Sequence, residues 1–195
     1  NVDHGNDGGS GSGKSEFAET MLHGALAQGK KYILRQCSLF GKEGAARIQR
    51  HKKLRAGKHF QTVECYADLE KLILNAQTTL LECLSNLTAN EMFTNGLNEK
   101  QTVEKILSGI RHLQRQTKHL VVVTNDVFCD GISYEQETVQ YMKALGEANV
   151  QLAAMADIVC EVVCGIPLFL KGNKMEYSLL TVGEMDHNYI AANWK

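Results

Sequence analysis

The chain has 195 residues, 44% apolar and 22% charged, with a formal net charge of −1; such a length predicts one domain over residues 1–195 and excludes a multidomain machine. Near-neutral charge excludes a dedicated polyanion binder, so nucleic acid is not an expected partner. With no apolar run near the roughly 18 residues that cross a bilayer, and no secretory-type stretch in the first thirty residues, no transmembrane segment and a cytoplasmic location are expected.

In chain order, residues 15–28 carry Phe17, Met21 and Leu22 at helical spacing. Short apolar runs at Tyr32–Leu34 and Thr79–Leu81 read as strands. A helix follows over residues 101–115, with Val103, Ile106, Leu107, Ile110 and Leu113 on one face, then a strand over Leu120–Thr124. The helical pattern returns over residues 135–156 through Leu145 and Leu152, before strands at Ile158–Val163 and Leu168–Leu170. Alternating strands and helices predict an α/β fold whose mostly parallel sheet is covered by helices on both faces. The single proline, Pro167, and the lack of low-complexity tracts predict no long linker. Six scattered cysteines without a C-x-x-C pair are expected to be buried free thiols rather than metal ligands or disulfides.

The strongest motif is Gly8-Gly9-Ser10-Gly11-Ser12-Gly13-Lys14-Ser15, which satisfies G-x-x-x-x-G-K-[ST] and runs directly into a helix-forming stretch. Its glycines let backbone N–H groups turn inward on phosphate oxygens, and the following helix start adds positive potential there. Lys14 would span the β- and γ-phosphates, and the Ser15 hydroxyl would ligate Mg²⁺. A P-loop ordinarily follows a buried strand, yet residues 1–7 offer one strand-forming side chain, Val2, so the first strand is not legible. A metal-site acid is expected at the end of an apolar strand, and Glu82, after Thr78-Thr79-Leu80-Leu81, is the candidate.

Between Arg47 and Lys58 six Lys or Arg side chains fall in twelve positions. From spacing alone a solvated helix face explains such a run. The functional alternative is a grip on polyphosphate with His51 as nucleophile, because neighbouring cations lower an imidazole's pKa and keep its lone pair free. The same cations would stabilise departing pyrophosphate.

Gly8–Ser15, the run Ala45-Ala46-Arg47-Ile48-Gln49-Arg50-His51-Lys52 and Thr62-Val63-Glu64 resemble, in order and spacing, the bifunctional adenosylcobinamide kinase/adenosylcobinamide-phosphate guanylyltransferase family. Leu81-Glu82-Cys83-Leu84-Ser85-Asn86-Leu87 is similar to that family's acidic strand-end motif, and Val123-Thr124-Asn125-Asp126-Val127 with Gly131-Ile132 to its Asn-Glu-Val segment. Asn149-x-x-Leu152-Ala153-x-x-Ala156-Asp157 and Gly165-Ile166-Pro167-x-x-Leu170-Lys171 complete a resemblance over residues 8–172. It implies a RecA-like P-loop NTPase fold and two reactions of cobalamin synthesis. A nucleoside triphosphate, ATP or GTP, phosphorylates the aminopropanol hydroxyl of adenosylcobinamide; GMP is then transferred from GTP to the product. The resemblance places GMP on His51 as a phosphoramidate and nucleotide contacts at Lys52, Lys53, Leu54, Arg55, Glu64 and Glu82, with Arg35, Gln36 and Cys37 in the segment after the second strand. It also implies Mg²⁺ as cofactor and a homo-oligomer, a trimer being the plausible form. The chain departs from the family pattern at Arg35–Ser38, at Asp126 in place of Glu, and at Gly57-Lys58 in place of Arg-Pro. Two other readings remain open at this stage: a GTP-binding regulatory module without turnover, and a simple P-loop kinase of another alcohol.

Overall fold

A computed structural model describes residues 13–25, 29–36, 60–125, 134–172 and 188–191. Its elements are α1 (Lys14–Ala25), β1 (Lys31–Arg35), β2 (Phe60–Glu64), β3 (Ala76–Glu82), α2 (Leu84–Ala89), α3 (Glu99–Gln114), β4 (Thr117–Val123), α4 (Gln136–Met155), β5 (Ile158–Val163), β6 (Ile166–Lys171) and β7 (Asn188–Ala191). A 3-10 turn at Leu69–Lys71 precedes β3, and a π turn at Asn90–Thr94 prolongs α2.

All seven strands join one sheet in the order β2-β1-β3-β4-β7-β5-β6. Every neighbouring pair is parallel except β5 with β6. The mostly parallel α/β architecture expected from the sequence is therefore present. Parallel strands need both faces covered, and the side chains divide accordingly. On one face Ala18, Met21 and Leu22 of α1 pack on Ile33, Leu80, Val121, Val123 and Ile158. On the other, Val103, Ile106, Ile110 and Leu113 of α3 and Ala144, Leu145 and Leu152 of α4 cover Leu34, Leu81, Leu120, Val122 and Val159. Residues 33 and 34, or 80 and 81, go to opposite faces because successive strand side chains alternate. Each fully buried leucine contributes about 1.5–3 kcal/mol relative to exposure, so this two-sided core accounts for the sheet's cohesion.

The expected strands and long helices are present, most with bounds shifted by one to three residues; residues 26–28 of the first expected helix lie outside the described residues. β4 begins three residues earlier than its apolar run, because Thr117 and His119 are buried polar residues that hide the strand from a hydropathy reading. α3 opens on a reciprocal cap: the Asn98 side chain accepts from the Gln101 backbone, and the Gln101 side chain accepts from the Asn98 N–H. Three elements escape the sequence reading. β2 is an edge strand with mostly exposed side chains. β7 is only four residues long. α2 is a six-residue helix with the polar Ser85 and Thr88 buried beside Leu84 and Leu87. Pro167 lies within β6, which tolerates the missing N–H because it is the sheet's other edge. Cys65, Cys83 and Cys160 are buried free thiols as expected; Cys164 corrects that expectation, for it stands exposed in the β5–β6 turn, where the chain reverses away from the core. Cys37, Cys129 and residues 1–7 lie outside the described residues.

Two local features yield tests. Gly109 of α3 faces the 3-10 turn so closely that a Cβ there would lie 2.7 Å from the Leu69 Cβ, whose backbone attachment prevents it from swinging aside. Gly109→Ala gains about 1 kcal/mol of helix propensity but must displace α3 from that turn at about 1–3 kcal/mol. Urea unfolding is expected to show a net loss of stability instead of the gain normal for a helical Gly→Ala change.

The second is the charge cluster beneath that turn. Lys105 of α3 pairs with Asp68 and, at 3.2 Å, with the buried Glu91, while Lys71 pairs with Asp68 at 2.7 Å. Glu91 also accepts from the Asp68 backbone N–H and from Asn95, both at 2.7 Å, so its burial leaves no charge uncompensated. Hydrogen bonds from Lys105 and Lys71 hold the Asp68 carboxyl below its ordinary range. The unfolded chain thus takes up the Asp68 proton first, and the resulting stabilisation is complete above the unfolded pKa of about 3.9 and lost as pH falls through the lower folded value. Asp68→Asn is expected to lower stability at pH 6 and to flatten the decline of the urea midpoint below about pH 4.

Candidate nucleotide site at the carboxyl edge of the sheet

In a parallel sheet the carboxyl ends of the strands share one edge, where the chain leaves each strand for the next helix. Strand register aligns four residues along it: Glu64 of β2 with Arg35 of β1, Arg35 with Glu82 of β3, and Glu82 with Val123 of β4. Alternation from Ile33 and Leu80 puts Arg35 and Glu82 on the face covered by α1. The first turn of α1 carries Lys14, which is buried, and Ser15, which is half-buried. α1 packs against β3, β4 and β5, so its amino end is held over the middle of this edge.

The described end of the phosphate loop has the backbone that its glycine predicts. Gly13 has a φ of 85°, and its carbonyl accepts the first helical hydrogen bond from Phe17 at 2.9 Å. A Cβ on Gly13 would stand 3.1 Å from the Gly165 Cα in the β5–β6 turn. Glycine is required on both counts, for the left-handed backbone and for the close approach of that turn.

Arg35 donates to a Glu64 carboxylate oxygen at 3.1 Å, and the Tyr66 hydroxyl donates to the other oxygen at 2.8 Å. Both charged partners belong to the nucleotide-contact set expected from the sequence, and they meet each other across β1 and β2. Gln36 follows them. Its N–H donates to the Glu82 carbonyl at 3.2 Å, and its own carbonyl accepts from Asn90, which also donates to the Tyr66 carbonyl. The Gln36 side chain is fully buried, yet among the described residues neither its amide oxygen nor its nitrogen has a hydrogen-bond partner. A buried amide left unsatisfied costs on the order of 1–3 kcal/mol, an expense that a ligand's polar edge would remove.

Beyond Glu82 the chain enters a polar knot. The Cys83 Sγ and Ser85 Oγ are 3.0 Å apart. Asn125, just past β4, donates from Nδ2 to the Ser85 Oγ at 3.0 Å and lies 3.9 Å from the Cys83 Sγ. The Tyr141 hydroxyl of α4 donates to the Ser85 carbonyl at 3.2 Å, and burial pushes that phenol up to about 12, so it remains a donor. Burial likewise pushes the Cys83 thiol up, against the Ser85 hydrogen bond and the positive charge of Lys14, with Glu82 acting in the same upward sense. Cys83 packs with Ala18, Met21 and Leu22 of α1, the helix that Lys14 opens, and directly follows Glu82 in the chain. Ser85 and Asn125 stand in this knot as polar groups to which the sequence motifs containing them assigned no role. Their signal was a hydroxyl three residues after one strand's terminal acid and an amide two residues past the neighbouring strand.

The structure brings Gly13, Lys14, Ser15, Arg35, Gln36, Glu64 and Glu82 to one edge. Gly8–Ser12, Cys37, His51 and Lys52–Arg55 lie outside the described residues. Ser15 and Glu82 offer a hydroxyl and a carboxylate oxygen, the hard donors that Mg²⁺ prefers alongside phosphate oxygens and water. Among the described residues no group of three or more His, Cys, Asp or Glu side chains is placed to hold a metal ion.

Residues 7–170 match the model of the family described as cobinamide kinase / cobinamide phosphate guanyltransferase. The chain is also 32% identical over 180 residues to the bifunctional adenosylcobalamin biosynthesis protein CobU of Escherichia coli (strain K12), an alignment covering 84% of this chain and 97% of the relative. The loop lysine and its serine at the head of α1, the acid at the end of β3 and the Asn125 segment all fall within the matched span; this chain belongs to the cobinamide kinase / cobinamide phosphate guanyltransferase family.

Proposed function

We propose that this chain carries out both reactions of its family, phosphorylating adenosylcobinamide with a nucleoside triphosphate and then transferring GMP from GTP to the phosphorylated product through a histidine-GMP intermediate. The observation that carries the reading is the seating of α1, which opens with Lys14 and Ser15, on β3 and β4, with Glu82 at the carboxyl end of β3, within a chain matched to the family over residues 7–170. In the first reaction the loop amides at Gly8–Ser15 and the Lys14 ammonium hold the triphosphate and draw negative charge toward the bridging oxygen as it leaves. Ser15 and Glu82 would hold Mg²⁺, which neutralises phosphate charge when bound. The substrate alcohol attacks the γ-phosphorus, and nucleoside diphosphate departs.

In the second reaction a neutral His51 attacks the α-phosphorus of GTP and pyrophosphate leaves; the substrate's phosphate oxygen then attacks the same phosphorus and frees the imidazole. Dividing the transfer in this way avoids bringing two bulky, highly charged substrates together in one displacement. Cations at Lys52, Lys53 and Arg55 favour the uncharged imidazole and receive the pyrophosphate charge. Leu54, Glu64, Glu82 and the Arg35–Cys37 segment complete the nucleotide contacts, and the unsatisfied Gln36 amide supports a polar contact there. Among the described residues no helix is long and apolar enough to cross a membrane. A single nucleotide-binding domain acting in the cytoplasm as a homo-oligomer, a trimer by the resemblance, belongs to the same proposal.

Incubation with α-labelled GTP and Mg²⁺ is expected to leave acid-labile, base-stable label on the protein. His51→Ala should abolish that label and GMP transfer while retaining phosphorylation of adenosylcobinamide from γ-labelled ATP or GTP. Label that persists in the His51→Ala protein would overturn the covalent route. Lys14→Ala is expected to lower the phosphorylation rate about 10²-fold or more, as loss of a charge-stabilising donor does.

A further inference from the structure

The geometry points to Asn125 as the group that receives and orients the attacking hydroxyl of the substrate in the phosphorylation reaction. This rests on Lys14 marking the triphosphate end of the site, as proposed above. Asn125 lies two residues beyond Val123, the β4 residue in register with Glu82, so it follows the carboxyl end of the strand next to β3. It approaches Cys83, whose side chain packs with the cluster beneath α1, the helix that Lys14 opens.

The amide is also held in one sense. Its nitrogen donates to the Ser85 hydroxyl, and Ser85 is anchored through its carbonyl by Tyr141 and through its hydroxyl by Cys83. Once Nδ2 is committed to Ser85, Oδ1 must face elsewhere, since the two atoms diverge from one carbon. Among the described residues no hydrogen bond to Oδ1 is made, and the residue is half-buried, so this oxygen keeps its acceptor capacity. A neutral acceptor suits an alcohol nucleophile. It takes a hydrogen bond from the hydroxyl, which turns an oxygen lone pair toward the γ-phosphorus, yet it adds no negative charge that would repel the triphosphate.

The step balances without a further reactant. The substrate oxygen forms the new bond to the γ-phosphorus, and the bond from that phosphorus to the β–γ bridging oxygen breaks. The electron pair leaves with the nucleoside diphosphate, and the hydroxyl proton passes to an oxygen of the transferred phosphoryl group. Asn125 orients the nucleophile and takes no proton.

The test compares Asn125→Ala, Asn125→Asp and Ser85→Ala in the full chain, with phosphorylation of adenosylcobinamide and GMP transfer to chemically supplied adenosylcobinamide phosphate measured separately. Asn125→Ala is expected to lower the phosphorylation kcat about 10²-fold, with nucleotide KM and GMP transfer within about twofold of the parent. Asn125→Asp keeps an acceptor oxygen of the same reach and should recover at least tenfold of that loss. Ser85→Ala frees the amide to rotate and should fall between the parent and Asn125→Ala. Unchanged phosphorylation in Asn125→Ala, or an equal fall in both reactions, would overturn the assignment; equal loss in all three variants together with weakened nucleotide binding would reduce the knot to a structural brace and overturn it too. Lys14→Ala serves as the control on the underlying reading: if it leaves phosphorylation intact, the triphosphate lies elsewhere, whereas its loss beside an active Asn125→Ala isolates the failure to Asn125.

Discussion

The seating of α1 on the sheet is the contact on which the site depends. Ala18, Met21 and Leu22 lie on Ile33, Leu80, Val121, Val123 and Ile158, side chains drawn from four different strands. That apolar contact fixes the helix in direction and depth, and Lys14 and Ser15 at its first turn are carried with it. Moving the helix would expose this surface at about 25 cal/mol per Å², so the position of a charged group at the edge is set by oily contacts well below it. Chemistry at the edge inherits its precision from packing in the interior.

The edge itself follows from parallelism. Because β2, β1, β3 and β4 run in one direction, register alone brings Glu64, Arg35 and Glu82 level, although they are far apart in the chain. Their charges alternate in sign, with Arg35 joined to Glu64 on one side and flanked by Glu82 on the other. The middle of the sheet is completed by β7, which comes from the far end of the chain and pairs with β4 and β5 in parallel. Four residues suffice there because their backbone groups find partners on both sides, whereas an isolated segment of that length would not hold an extended form.

Polar burial takes contrasting forms at two places in this molecule. Around Asp68, Glu91 and Lys105 every charge is matched, and the network fastens the 3-10 turn to α3 and the π turn. At the edge, by contrast, the Gln36 amide is unmatched among the described residues and the Asn125 Oδ1 keeps its acceptor capacity. Satisfied networks contribute to the fold, while unsatisfied groups beside a phosphate loop hold capacity for a ligand.

Much was legible before any coordinates. The phosphate loop announces itself because its glycines, lysine and serine are contiguous, and α3 because its apolar spacing and its Asn98–Gln101 cap both lie within local sequence. Glu82 could be found from its place after an apolar run. The basic segment around His51 was ambiguous by spacing and acquired a role only through resemblance. β2, α2 and β7 were hidden because an edge strand, a one-and-a-half-turn helix and a four-residue strand carry too few apolar residues to show a period. Sequence by itself determined the local patterns: where the glycine-rich loop motif lies, which helix follows, which family pattern is present. Only the tertiary structure decided that Arg35 meets Glu64, that Cys83 packs with α1, and that Asn125 is tied to Ser85. Those pairings arise from strand order and register, which depend on contacts between distant segments and leave no trace in the spacing of neighbours along the chain.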